Sequence, residues 1–266
     1  MNTKSPYSVL IVDFILFLFV GILLWIINII GQMSFPGNNL FPFLMRSLIL
    51  VSCLIAAYFL NHRFSRKNRF TLNTLQFKSG SIKYYLGGIA VGCLLIATIW
   101  AIIYLIYPFE IIKNSYSKIN PGNDIISYSL GNTLEELLFR GFILVASVKL
   151  FQKVGGVLFV SLLFGVFHLQ GTGMTVEGLS MVMTTFTMSL LFISVIYYTG
   201  SIWTAATLHI TGNLLLHTFG FDGTNNGLYT IRFATSNANG HISVLIYEIV
   251  VIAFAMVIFR KAKNQL

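Results

Sequence analysis

The sequence predicts an all-α fold, a polytopic transmembrane bundle of about eight helices around an intramembrane site. Three observations carry that expectation. Hydrophobic residues make up 56% of the 266 positions, mean hydropathy is +0.81, and the 9% of residues that are charged gather between apolar runs rather than within them. A helix needs roughly 20 apolar residues to cross the hydrocarbon, and lipid offers no partner to an unpaired backbone amide, so helices are favoured over open sheet.

The expected spans are 8–31, 41–60, 84–107, 125–149, 155–170, 178–199, 201–218 and 242–259. The first is too long, and too poor in small residues at its end, for a removable signal peptide, so it is expected to remain as a helix. The third opens the block that carries the polar motifs described below. The fifth and seventh are short and contain Gly165, Ala205, Ala206 and Gly212. Short spans with small residues predict tilted or partly submerged helices packed closely around an interior site.

Cys53 and Cys93 lie mid-span in separate helices and read as small core residues rather than a disulfide. No internal repeat, low-complexity tract or long linker divides the chain, so residues 1–266 are expected to form one integral membrane domain. The longest polar stretches are 61–83, 108–124 and 219–241. The last reads as an ordinary connection, the alternative being a flap over the site.

Orientation follows from the basic residues. Lys4, Arg63, Arg66, Lys67, Arg69, Lys78, Lys83, Lys149, Lys153, Arg260, Lys261 and Lys263 fall on one side of the expected spans, leaving Lys113, Lys118 and Arg232 on the other. Both termini are therefore expected in the cytoplasm. This bias also accounts for the net charge of +9, and no nucleic-acid motif accompanies it, so no nucleic-acid partner is expected. Membrane lipids are the expected surroundings, with the 61–83 loop a candidate to rest on anionic headgroups. No feature of the sequence fixes an oligomeric state.

Against this background the stretch NTLEELLFRGF places Glu135, Glu136 and Arg140 inside an apolar segment. A carboxylate in the bilayer interior costs several kcal/mol unless paired or hydrated, so such acids are functional candidates. Glu136 and Arg140 are four residues apart on one helical face, which offers a neutralising pair. Glu135, rotated about 100° from its neighbour, has no such partner on its own helix and is the leading general-base candidate. A purely structural ion pair would explain Glu136 and Arg140 but leaves the second acid without a reason.

Two further spans carry imidazoles. Phe164 and His168 are spaced to share a helical face, as are His209 and Asn213, with His217 one turn beyond. His209 and Asn213 are suited to donate hydrogen bonds to a developing oxyanion or to ligate a metal, the alternative being an interhelical hydrogen-bond pair worth about 1 kcal/mol. His168 is expected nearer the outer end of its span than Glu135 and His209. Only a tilted or re-entrant helix brings the three together.

In order along the chain, EELLFR reads as EExxxR, FGVFH as FxxxH and HITGN as HxxxN. Three ordered motifs within membrane spans resemble the CPBP family (CAAX protease and bacteriocin-processing, also called Abi), which includes type II CAAX prenyl proteases and proteins similar to lysostaphin resistance protein A. The resemblance covers roughly residues 84–218. It implies an intramembrane endopeptidase in which Glu135 and His168 position and activate water, His209 and Asn213 stabilise the oxyanion, and Glu136 and Arg140 support the site. It leaves the cofactor open between none and zinc, with Glu135, His168 and His209 as the candidate ligands. The absence of HExxH favours a metal-independent mechanism. It further implies a hydrophobic or membrane-anchored peptide as substrate and, for a small chain without appended domains, a bacterial cell membrane and a role in peptide processing or bacteriocin self-immunity.

Two other classes compete with this reading. A membrane scaffold or immunity protein would use the polar cluster only for packing and would tolerate Glu135→Gln. A transporter would use the same groups as a relay, but no inverted repeat or second acid-rich span supports it. Asp13, Arg46 and Glu248 are assigned no catalytic role.

Overall fold

The computed structural model describes residues 6–36, 39–69, 82–115, 121–171, 173–221, 227–234 and 240–262. Lys4, Lys78, Lys118 and Lys263, which entered the orientation argument, lie outside the described residues. The elements run α1 (Pro6–Ser34), α2 (Leu40–Lys67), α3 (Ile82–Ile106), β1 (Phe109–Lys113), α4 (Pro121–Leu138), a π-type turn (Phe139–Ile143), α5 (Leu144–Phe167), a 3-10 turn (His168–Gly171), α6 (Val176–Thr199), α7 (Ile202–Thr218), β2 (Tyr229–Phe233) and α8 (Gly240–Ala262). Six helical stretches among the described residues are long and apolar enough to cross a membrane. The chain is an all-α, multi-pass integral membrane bundle.

One of those six stretches, Gly122–Phe167, runs to 46 residues, more than twice what one crossing requires. It is not one rod. Gly141 has ψ of −122° inside the π-type turn, and Gln152 takes φ 63° and ψ 173° inside α5. A positive φ on a residue with a side chain is costly and marks a sharp reversal. Beyond Gln152 the chain folds back on itself, and a Cβ added to Gly156 would stand 2.5 Å from the Val148 nitrogen, so only glycine permits this approach. Lys153 at the reversal lies over the rings of Tyr197 and Phe259, 5.2 Å from each, a cation–π contact joining the bend of α5 to the ends of α6 and α8. The returning leg is the re-entrant element that His168 requires.

Helix α1 packs antiparallel to α2. Buried Asp13 accepts from Lys67 Nζ at 2.6 Å and from Asn68 Nδ2 at 2.8 Å, and Phe17 meets Phe64 edge-on at 5.6 Å. Helix α3 lies against α7 through Gly88 and Gly92. A Cβ on Gly88 would collide with Thr207 Oγ1 and the Thr204 carbonyl, and one on Gly92 would press on Thr211 at 3.0 Å. This is the small-residue packing by which membrane helices approach closely. Helix α8 joins α6, where Thr187 Oγ1 donates to Glu248 Oε2.

Two expectations are corrected. Gly212 is not a close-packing residue: no atom lies within 4 Å of a Cβ placed there, and the tight contact is made by Gly88 and Gly92 instead. Cys93 is exposed on the surface of α3 whereas Cys53 is buried, so only Cys53 is a core residue. The connections after α3 and α7 are not wholly irregular. Phe109–Lys113 and Tyr229–Phe233 pair antiparallel, with Glu110 opposite Arg232. Five-residue strands with apolar residues on both sides of the pair rest on an aromatic cluster of Trp100, Phe109, Phe219 and Phe221.

Candidate active site

Helices α4 and α7 and the 3-10 turn that follows α5 bring Glu135, His209 and His168 to one point. Glu135 Oε2 lies 3.9 Å from His168 Nε2 and 3.9 Å from His209 Nε2. These separations are too long for direct hydrogen bonds, and Oε2 has no hydrogen-bond partner among the described residues. Both rings are held from behind. His168 Nδ1 donates to the Phe164 carbonyl at 2.8 Å, and His209 Nδ1 faces Glu136 Oε1 at 3.0 Å. Because a carbonyl and a carboxylate only accept, each Nδ1 carries a hydrogen, and each Nε2 of a neutral ring presents a lone pair to Glu135.

Glu136 does two things at once. The same Oε1 that accepts from His209 lies 3.2 Å from Arg140 Nη1, one turn along its own helix. Arg140 is completely buried, and its guanidinium sits over Phe164 at 4.0 Å, Phe192 at 5.1 Å and Phe139 at 5.9 Å. An aromatic cage partly replaces the hydration of a buried cation. Phe192 also stacks on the His209 ring at 4.6 Å, and Phe164 meets His168 at 4.6 Å. Phe164 thus fixes His168 through its carbonyl and its ring while covering Arg140, which gives the FxxxH spacing a physical meaning.

Asn213 stands one turn beyond His209 on α7 and, like it, faces α4. Its Nδ2 donates to Asn132 Oδ1 at 3.3 Å. His217, one turn further, meets Tyr128 at a ring separation of 5.5 Å. Asn132 was missed in the sequence, although it stands one turn before Glu136 on the same face. Asn61, also missed, is completely buried on α2 and closes the broken backbone beside the acids. Its Nδ2 donates to the carbonyls of Leu137 and Ala57 at 2.9 and 2.8 Å, and its Oδ1 accepts from Phe142 N at 2.5 Å. A π-type turn frees backbone groups from the helical ladder, and in lipid these must find other partners. A side chain at Gly141 would collide with the Asn61 amide, so the two residues fit each other.

For zinc, no group of three or more His, Cys, Asp or Glu among the described residues is arranged as a metal site. Ligands about 2.0–2.1 Å from a tetrahedral ion lie about 3.3 Å apart, and the edges from Glu135 to both imidazoles are 3.9 Å. The trio in this arrangement does not fit the ion.

The fold and the site define a multi-pass membrane protein with a polar, three-helix centre inside the bundle. Residues 124–215 match the family model described as type II CAAX prenyl endopeptidase Rce1-like. The matched segment runs from α4 to α7 and contains Glu135, Glu136, Arg140, His168, His209 and Asn213. It bears out the resemblance carried by the three motifs and supports, at family level, a CAAX-protease-like intramembrane endopeptidase. No curated protein matches the chain.

Proposed function

We propose that the protein hydrolyses a peptide bond in a hydrophobic or membrane-anchored peptide by activated-water attack. The observation that carries this reading is the equal 3.9 Å approach of His168 and His209 to one oxygen of Glu135. A water about 2.8 Å from two such atoms fits off the line between them with an angle of about 90°. Glu135 withdraws a proton from that water, with His168 as its positioning partner, and the hydroxide oxygen bonds to the scissile carbonyl carbon. The proton then passes to the departing amide nitrogen as the C–N bond breaks.

The oxyanion role falls to His209 and Asn213: it requires a proton on His209 Nε2 as the tetrahedral intermediate forms, while Glu136 accepts from Nδ1 and steadies the ring from its other side, with Asn213 as a second donor.

The protein then works in a bacterial cell membrane with both termini in the cytoplasm, in peptide processing or bacteriocin self-immunity, on partners that are lipids and a peptide rather than nucleic acid. The test compares secreted and membrane peptides from cells expressing wild type or Glu135→Gln at matched abundance. Loss of particular cleavage products supports proteolysis and names the substrate; an unchanged peptidome rejects it.

A further inference from the structure

Helices α4 and α7 run antiparallel with their polar residues in register. Glu136 faces His209, Asn132 faces Asn213 and Tyr128 faces His217, each rung four residues from the next on both helices. At one helical turn per rung, the ladder runs about 12 Å from the acids to Tyr128 and His217, the latter in the last turn of α7 on the side of the β-sheet. Burial changes along it. Glu136 is 0% exposed and Asn132 5%, whereas Tyr128 and His217 are half-buried.

The middle rung has room and an unused donor. Gly212, beside Asn213, is buried, yet a Cβ added there meets nothing within 4 Å; half-buried Gly131, beside Asn132, likewise has open space at its Cβ. Asn132 accepts from Asn213 through Oδ1, while its buried Nδ2 has no protein acceptor among the described residues. Two amides that only fastened helices together would leave neither the space nor the free donor, since buried polar groups are ordinarily paired. Space, polarity and graded exposure are together what a file of ordered waters requires.

Resting on the protease reading, we propose that the α4–α7 seam is the path by which the hydrolytic water reaches Glu135. Water enters from the membrane face that carries the β-sheet and is passed inward by Asn132. Asn132 is a positioning residue: it orients both Asn213 and the incoming water.

Two measurements on the full chain test this. In sealed vesicles, with Cys53 and Cys93 replaced by alanine, a Gly212→Cys variant is treated with a charged, impermeant methanethiosulfonate from one face at a time. Thr230→Cys in β2 and Lys153→Cys at the chain reversal identify the two faces. Gly212→Cys is expected to react at least about tenfold faster from the sheet face. Equal protection on both faces, or faster reaction from the other, overturns the route.

Turnover gives the second arm. Asn132→Leu, which fills the file, is expected to lower kcat about tenfold or more at unchanged KM, and Asn132→Ser, which leaves a hydroxyl and space, to keep most of it. Equal losses in the two variants, or a loss in KM alone, overturn the role of Asn132. Labelling needs no turnover, so the route can fail while Glu135-dependent cleavage stands, whereas an unchanged peptidome for Glu135→Gln overturns the hydrolytic role even where labelling finds the seam open to water.

Discussion

Glu136 and His209 meet at 3.0 Å across the α4–α7 interface, through the one carboxylate oxygen that also lies 3.2 Å from Arg140. The acid therefore neutralises a buried cation and sets the tautomer of an imidazole together. Removing it separates these duties.

Glu136→Gln is expected to destabilise the protein by about 3 kcal/mol, because it leaves Arg140 charged and buried without its acid. Adding Arg140→Met should restore most of that stability but not kcat, since His209 still lacks its orienting carboxylate. Thermal unfolding in detergent and a cleavage assay measure the two effects side by side.

Asn61→Leu keeps the volume at the α2–α4 contact but strips three hydrogen bonds from a buried backbone break. A loss of about 2–4 kcal/mol is expected, at about 1 kcal/mol or more for each partner left unsatisfied. Gly141→Ala should destabilise through its clash with the Asn61 amide, and Asn61→Ser should recover part of that loss. A double-mutant cycle of melting temperatures is the check.

Gly88→Val forces α3 away from Thr204 and Thr207 of α7 and is expected to abolish folded protein in the membrane fraction. Gly212→Ala meets nothing and should be neutral or stabilise by up to about 1 kcal/mol through helix propensity. Comparing folded yields of the two variants separates a contact glycine from one beside open space.

Treatment with a strong zinc chelator followed by its removal is expected to leave the cleavage rate within about twofold of the untreated protein, since the Glu135–imidazole edges exceed those of a tetrahedral zinc site. Loss of activity that added zinc restores would reverse this expectation.

Much of this was legible in the sequence because lipid leaves few solutions. Span length, basic flanks and acids stranded among apolar residues mark the helices, and the four-residue spacings mark which faces meet. The reach of His168 required a re-entrant leg, which the reversal at Gln152 supplies. Other parts depend on distant partners. Asn61 closes an apolar run and looked like the start of a polar loop, and nothing near it announces a backbone break 80 residues away. Asn132 did leave a signal: Tyr128, Asn132 and Glu136 repeat every four residues, mirroring His209, Asn213 and His217. The two five-residue strands gave none, because their pairing joins segments more than 100 residues apart.

The fold-back at Gln152 also has a bearing on biosynthesis. Glu135 enters the membrane on the outgoing arm of a hairpin and His168 follows on the returning arm, but His209 arrives only when a later helix is inserted. A partly made chain thus holds its acids without the imidazole that completes the centre. On the protease reading, the order of synthesis acts as a safety catch: the newborn polypeptide is sheltered from its own hydrolytic power until the bundle has closed.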